Sequence, residues 1–159
     1  MGVAGRSRDH VEELISDLES AYDSFPINQT TVTVPAEHYE RVEEQCRQGV
    51  ARVDVYVRNE QDDVLMVEDG NELTVPGETV TADDSLERRA RRAVKQATGV
   101  ECHVETILKA TIAGVHSEAD PDADPIYRLV VLLSASLSAE TPSVDGQWQT
   151  EPPGRELVI

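Results

Sequence analysis

Aromatic side chains are scarce in this chain: one Phe, one Trp and four Tyr make up 4% of its residues, which leaves few rings to stack a nucleobase. Two cysteines, Cys46 and Cys102, are too few for a disulfide framework and lack the spacing of metal ligands, so both read as plain thiols. No apolar run reaches the roughly 18 residues that a membrane span needs, which excludes a transmembrane helix. The segment from Met1 to Leu14 has no apolar core of the secretory type, and the chain is expected in the cytoplasm. A glycine-rich phosphate loop, a Gly-x-Ser-x-Gly elbow and a Cys/His nucleophile pair are also missing. His10, His38, His103 and His116 are scattered and read as surface or core residues. Lysine is nearly absent, with Lys95 and Lys109 against twelve arginines.

Acid is abundant. The 31 Asp and Glu outweigh 14 Lys and Arg, for a formal net charge of −17. Phosphates would meet repulsion on most faces, which argues against a general nucleic-acid binder. Crowded carboxylates repel one another in dilute buffer, whereas near 1 M salt the screening length falls to about 3 Å and the repulsion fades. This is the composition of a salt-adapted protein. Its 159 residues amount to one domain, long enough for folding to bury roughly 70% of the unfolded surface.

Apolar spacing lays out the elements. Val11, Leu14, Ile15, Leu18, Tyr22 and Phe25 recur at three and four residues, predicting a helix over 9–25 with an Asp9/Glu12 capping box and Pro26 as its stop. Thr30 to Val34 alternate as a strand, and Pro35 opens a helix that turns Tyr39, Val42 and Cys46 inward and stops at Gly49. Residues 1–48 therefore form a helix-strand-helix extension ahead of a main domain at 49–159. There Val53, Val55 and Val57 share one face of a strand. Further strands are expected at Val64 to Val67, Leu73 to Val75, Cys102 to Ala113 and Ile126 to Ser136, with a helix over about Ser85 to Thr98. A Pro76-Gly77 loop precedes that helix, an acidic loop spans His116 to Pro125, and the tail from Glu140 to Ile159 shows little regular pattern.

Residues 76–100, PGETVTADDSLERRARRAVKQATGV, carry the most specific spacing in the chain. They resemble, without a gap, the box of the Nudix family: Gly, five residues, Glu, seven residues, then Arg-Glu-apolar-any-Glu-Glu-any-Gly-apolar. Arg92, Val94, Gly99 and Val100 match. Glu78 stands at the first glycine, Asp84 at the upstream glutamate, Ala93 at the glutamate after the arginine, and Gln96 and Ala97 at the glutamate pair. The resemblance, looser over Val50 to Trp148, implies an α/β sandwich of the Nudix type with a mixed sheet. It also implies hydrolysis of nucleoside diphosphate derivatives with Mg²⁺ or Mn²⁺ held by box glutamates, none of which is present here. The composition adds a haloarchaeal source.

On a helical wheel Leu86, Ala90, Ala93, Val94 and Ala97 form one apolar side, with Arg88, Arg91, Arg92 and Lys95 opposite. The basic stripe, Arg89 included, is either neutralised by neighbouring acids or an anion site that needs no metal, since guanidinium groups grip phosphate oxygens in pairs. By box position Asp84, Arg92 and Gln96 are the residues standing at catalytic places, and Arg88, Arg89 and Glu78 those placed to meet substrate. The resemblance thus implies a degenerate homologue kept for binding a nucleotide, a nucleoside diphosphate derivative or a protein partner such as a second copy, with no cofactor. The alternative is a Mg²⁺ or Mn²⁺ hydrolase that relocates its metal to Asp83, Asp84, Glu87, Glu78 or the loop acids Glu118, Asp120, Asp122 and Asp124. The run from Asp120 to Asp124 lacks the glycine and distal glutamate of an EF-hand loop. Tyr56, Tyr127 and Trp148 are the candidate rings for substrate selection. From the charge alone, the melting temperature should rise between dilute buffer and molar KCl; an unchanged value removes the salt-adapted reading.

Overall fold

The structure, a computed structural model, describes residues 3–22, 24–59, 63–69, 72–81, 84–99, 101–137 and 146–149. Asp83, Val100, the tail prolines Pro142, Pro152 and Pro153 and most of the tail expected from Glu140 onward lie outside the described residues. Along the chain come α1 (Val3–Ala21), β1 (Ile27–Val34), α2 (Ala36–Gln48), β2 (Ala51–Arg58), β3 (Val64–Asp69), β4 (Glu72–Thr74), β5 (Gly77–Val80), α3 (Leu86–Thr98), β6 (Cys102–Ser117), β7 (Ile126–Leu137) and β8 (Gly146–Gln149).

The fold is the expected α/β sandwich built on a mixed sheet. Its order is β1-β6-β7-β2-β3-β4, with β5 against β2 and β8 against β3. β1 runs parallel to β6 and β2 parallel to β7, while the remaining pairs are antiparallel. β7 lies at the centre because its sequence, IYRLVVLLSASL, is apolar on successive positions, as a strand covered on both faces must be. One of its faces, Leu129, Val131, Leu133 and Ala135, joins Val53, Val55 and Val57 of β2 in the main core, which α1 closes with Val11 and Leu18 and α3 with Ala90 and Val94. A smaller cluster gathers Tyr56, Val64, Met66 and Val75.

Residues 1–48, read above as an extension, supply α1, β1 and α2, and β1 is the edge strand of the same sheet. The capping box at Asp9 is overturned: α1 begins at Val3, so Asp9 lies inside the helix. Ser7 is buried and its Oγ accepts the N–H of Tyr127 at 2.9 Å, which anchors the turn before Asp9 on β7. The helix also ends at Ala21, short of Pro26. β1 starts three residues early, at Ile27, in a continuous parallel ladder with β6. That ladder carries β6 to Ser117, past the expected start of the acidic loop at His116, and the N–H of Glu118 closes it on the carbonyl of Val34 at 2.8 Å. The Pro-Gly loop is in part a strand, β5, and the tail contributes β8.

Cys46 and Cys102 are free and buried, and burial pushes both thiols above their usual range. No helix among the described residues is long and apolar enough to cross a membrane. Leu133→Ala, at a fully buried position on the central strand, should cost about 2 to 5 kcal/mol in denaturant unfolding. Ile27→Thr, at the exposed edge, should change it by about 0.5 kcal/mol or less.

Candidate functional site

Local chemistry fixes where α3 begins and ends. Ser85 caps it, its Oγ accepting the N–H of Arg88 at 3.0 Å, while Asp84 Oδ1 accepts the N–H of Ser85 at 2.8 Å. Gly99 closes it with φ of 78°, a left-handed conformation that a Cβ disfavours. The apolar side expected from the wheel packs inward: Ala90, Ala93 and Val94 are buried, and Leu86 and Ala97 half-buried.

The basic side divides. Arg88, Arg91, Arg92 and Lys95 keep between 53% and 77% of their side-chain surface in solvent, whereas Arg89 keeps 16%. Arg89 folds back toward β5. Its Nη1 donates to Glu78 Oε1 at 3.0 Å, its Nη2 to Thr81 Oγ1 at 3.0 Å, and its Nε lies 2.6 Å from Asp84 Oδ2. Burial works against its charge, but the hydrogen bond to Glu78 and the field of Asp84 raise its basicity above the ordinary guanidinium value. Around this centre Arg88 Nη1 stands 3.6 Å from Asp84 Oδ1 and Arg92 Nε 3.5 Å from Glu78 Oε1. Arg91 pairs with Glu87 at 3.9 Å and Lys95 with Glu101 at 3.7 Å.

Five of the six residues singled out by box position, Glu78, Asp84, Arg88, Arg89 and Arg92, therefore meet in one ion-pair network. The sixth, Gln96, is exposed one turn beyond Arg92. Each basic residue of the stripe has an acidic neighbour within 4 Å. The network's outer pairs are long and solvated and hold their arginines weakly.

Magnesium takes near-ideal octahedral oxygen coordination and is usually held through one or two carboxylates. The α3 face does not meet that need: Ala93 and Ala97 carry methyl groups, and Glu78 and Asp84 are both engaged by Arg89. Glu78 Oε2 is buried without a hydrogen-bond partner among the described residues. No group of three or more His, Cys, Asp or Glu side chains comes together as a metal site among the described residues. Among the loop acids, Asp124 sits beside α2, where its carbonyl accepts the hydroxyl of Tyr39 at 2.7 Å.

No protein-family profile matches the chain, and neither does any curated protein. Among solved structures it is similar to a NUDIX hydrolase from Nitrosomonas europaea, at 16% identity and a TM-score of 0.47, over 63% of this chain and 71% of that one. It is also similar to a pyrophosphohydrolase from Bacillus subtilis, at 18% identity and a TM-score of 0.47, over 65% of this chain and 64% of that one. A third, a candidate oxidoreductase from Sinorhizobium meliloti, gives 16% identity and a TM-score of 0.44 over 73% of this chain, which spans 35% of that protein's length. Likeness at this level carries no argument.

Two features escaped the sequence reading. A cavity of about 560 Å³ opens between α1, the end of α2 and the start of α3, with Leu14, Leu18, Tyr22, Val80 and Leu86 in its walls and Glu13, Asp17 and Glu87 among its acids. No local pattern foretells it, because residues from several elements far apart in the sequence build it. Arg128 is 1% exposed on β7; the signal was there, an arginine inside a continuous apolar strand. Of the candidate rings, Tyr56 is buried in the smaller cluster and Tyr127 lies half-buried under Arg8, 5.9 Å from its guanidinium. The side chain of Trp148 lies outside the described residues.

Because Arg89 ties β5 to the start of α3, Arg89→Met should lower the melting temperature clearly more than Arg88→Met at the same KCl concentration. Equal effects would show that the inner and outer pairs do the same work.

Proposed function

We propose that this chain is a Nudix-like module that binds a nucleotide or nucleoside diphosphate derivative without metal-dependent hydrolysis. The observation that carries the reading is Arg89. Its guanidinium gives Glu78 and Asp84 the positive charge that a divalent ion would otherwise supply, and the two positions facing inward beyond them carry only methyl groups. The fold frame of the box is kept while its cation chemistry is replaced by an internal salt bridge.

Phosphate recognition falls to Arg88 and Arg92. Both are exposed, and both are held by ion pairs of 3.5 to 3.6 Å whose worth is roughly 0 to 1 kcal/mol. A phosphate that accepts two charge-assisted hydrogen bonds competes well with such partners. The cavity beside α3 falls within the range of small-molecule sites, but its acids Glu13, Asp17 and Glu87 repel phosphate. The anionic end of a ligand is therefore directed to the outer face of α3.

The test is an assay of phosphate release from nucleotide sugars, dinucleoside polyphosphates and nucleoside triphosphates, in molar KCl with Mg²⁺ and with Mn²⁺. No metal-dependent turnover is expected, and turnover would overturn the proposal. Calorimetry with ADP-ribose and with a nucleoside diphosphate should then show binding that Arg92→Ala weakens about tenfold, the loss of one charge-assisted contact. Identical binding by Arg92→Ala, or none by the unaltered chain, removes the nucleotide from the reading.

A further inference from the structure

Side chains alternate across a sheet, so β2 and β5 present different chemistry on their two faces. Glu78 opposes Val53 and faces α3; Thr79 opposes Arg52 and faces the other way. Arg52 also opposes Val130 of β7, and Arg128, two residues earlier, lies on that same second face. Arg52, Thr79 and Arg128 thus share a surface remote from the Arg89 network.

Arg128 is the largest fully buried side chain described. Its Nη1 donates to Gln45 Oε1 and its Nη2 to Thr79 Oγ1 at 3.4 Å, while its Nε has no partner among the described residues. Both acceptors are neutral, and no carboxylate oxygen among the described residues lies within 4 Å of it. Asp54, whose field favours the charge of Arg128, is engaged by Arg52: its Oδ1 lies 3.1 Å from Nη2 and 3.2 Å from Nε of that residue. That pair crosses directly over Gly77, where a Cβ would fall 2.1 Å from Asp54 Oδ1, so the glycine keeps the space open. Arg52 thus holds the carboxylate whose field also reaches Arg128, in a chain whose net charge is −17. Burial above all, and the neighbouring Arg52, press Arg128 toward lower basicity; Cys46 and Asp54 act the other way, and the balance lies below the ordinary guanidinium value. A buried cation in this position favours whatever anion can reach it.

Gln45 supplies the route. It is exposed on α2, and its carboxamide oxygen accepts from Nη1 of the buried guanidinium. Moving that side chain outward would free Nη1 for another acceptor, with the hydroxyl of Thr79 beside the guanidinium as a second donor. We propose that Arg128 is the floor of an oxyanion site, flanked by Arg52 and Thr79 and capped by Gln45, which takes a single phosphoryl or carboxylate group. The site is independent of nucleotide binding on α3.

Thermal unfolding of the full chain, with inorganic phosphate or acetate exchanged against KCl at constant ionic strength, reads the site directly. The melting temperature should rise saturably with at least one of them, and which one identifies the group bound. Arg128→Gln risks failing to fold, so Gln45 is the informative position. Gln45→Glu brings a carboxylate to Arg128; it should raise the melting temperature without added anion and raise the half-saturating anion concentration about tenfold or more. Gln45→Ala, which removes the cap, should lower that concentration. The proposal is overturned if neither anion gives a saturable response or if Gln45→Glu responds like the unaltered chain.

Discussion

The guanidinium of Arg89, set between Glu78 and Asp84, is the interaction on which the rest of this structure turns. Glu78 belongs to β5, Asp84 to the turn before α3 and Arg89 to the helix itself, so one cation joins three consecutive pieces of backbone. Asp84 also accepts the N–H of the capping Ser85, which couples the ion pairs to the first turn of the helix. A carboxylate bound to an arginine is neither a free base nor a ready metal ligand. The same contacts that orient α3 therefore decide what chemistry its surface can offer.

Arginine is the cross-linking residue on both faces of the sheet. On the α3 side the charges come nearly balanced, each basic residue of the stripe having an acidic neighbour. On the other side Arg52 holds Asp54, while Arg128 is fully buried and its acceptors, Gln45 and Thr79, are neutral. Burial magnifies such differences, since a solvated pair is screened by salt and a buried charge much less so. In an acid-rich chain the surface charge count says little about these interior sites, where a few arginines set the local field.

Much of this was legible in the sequence. Period-two valines marked β2, the apolar run marked β7, and the spacing up to Gly99 located α3 from about Ser85 to its glycine stop. The wheel also identified the buried side of that helix. It also set Arg88, Arg91, Arg92 and Lys95 on the opposite side and left Arg89 off it, but it named no partner for Arg89: what draws that residue inward is Glu78, on a segment whose Gly77 suggested only a loop. β5 exists because β2 offers it a partner, and β1 reaches back to Ile27 because β6 lies beside it; such gains come from pairing across the fold and leave no mark in the local sequence. The capping box at Asp9 failed for a related reason, since the buried hydroxyl of Ser7 holds an earlier turn in place from a strand over a hundred residues away. Arg128 was visible as a charge in an apolar strand, but its neutral partners Gln45 and Thr79 come from two other elements.

Direct titration of the chain with Mn²⁺ in molar KCl, followed by electron paramagnetic resonance, tests the proposal that Arg89 takes the place of a divalent ion. That proposal predicts that the free-ion signal grows in proportion to added Mn²⁺, with no stoichiometric binding at micromolar concentrations. One equivalent of bound Mn²⁺ that Mg²⁺ displaces would contradict it.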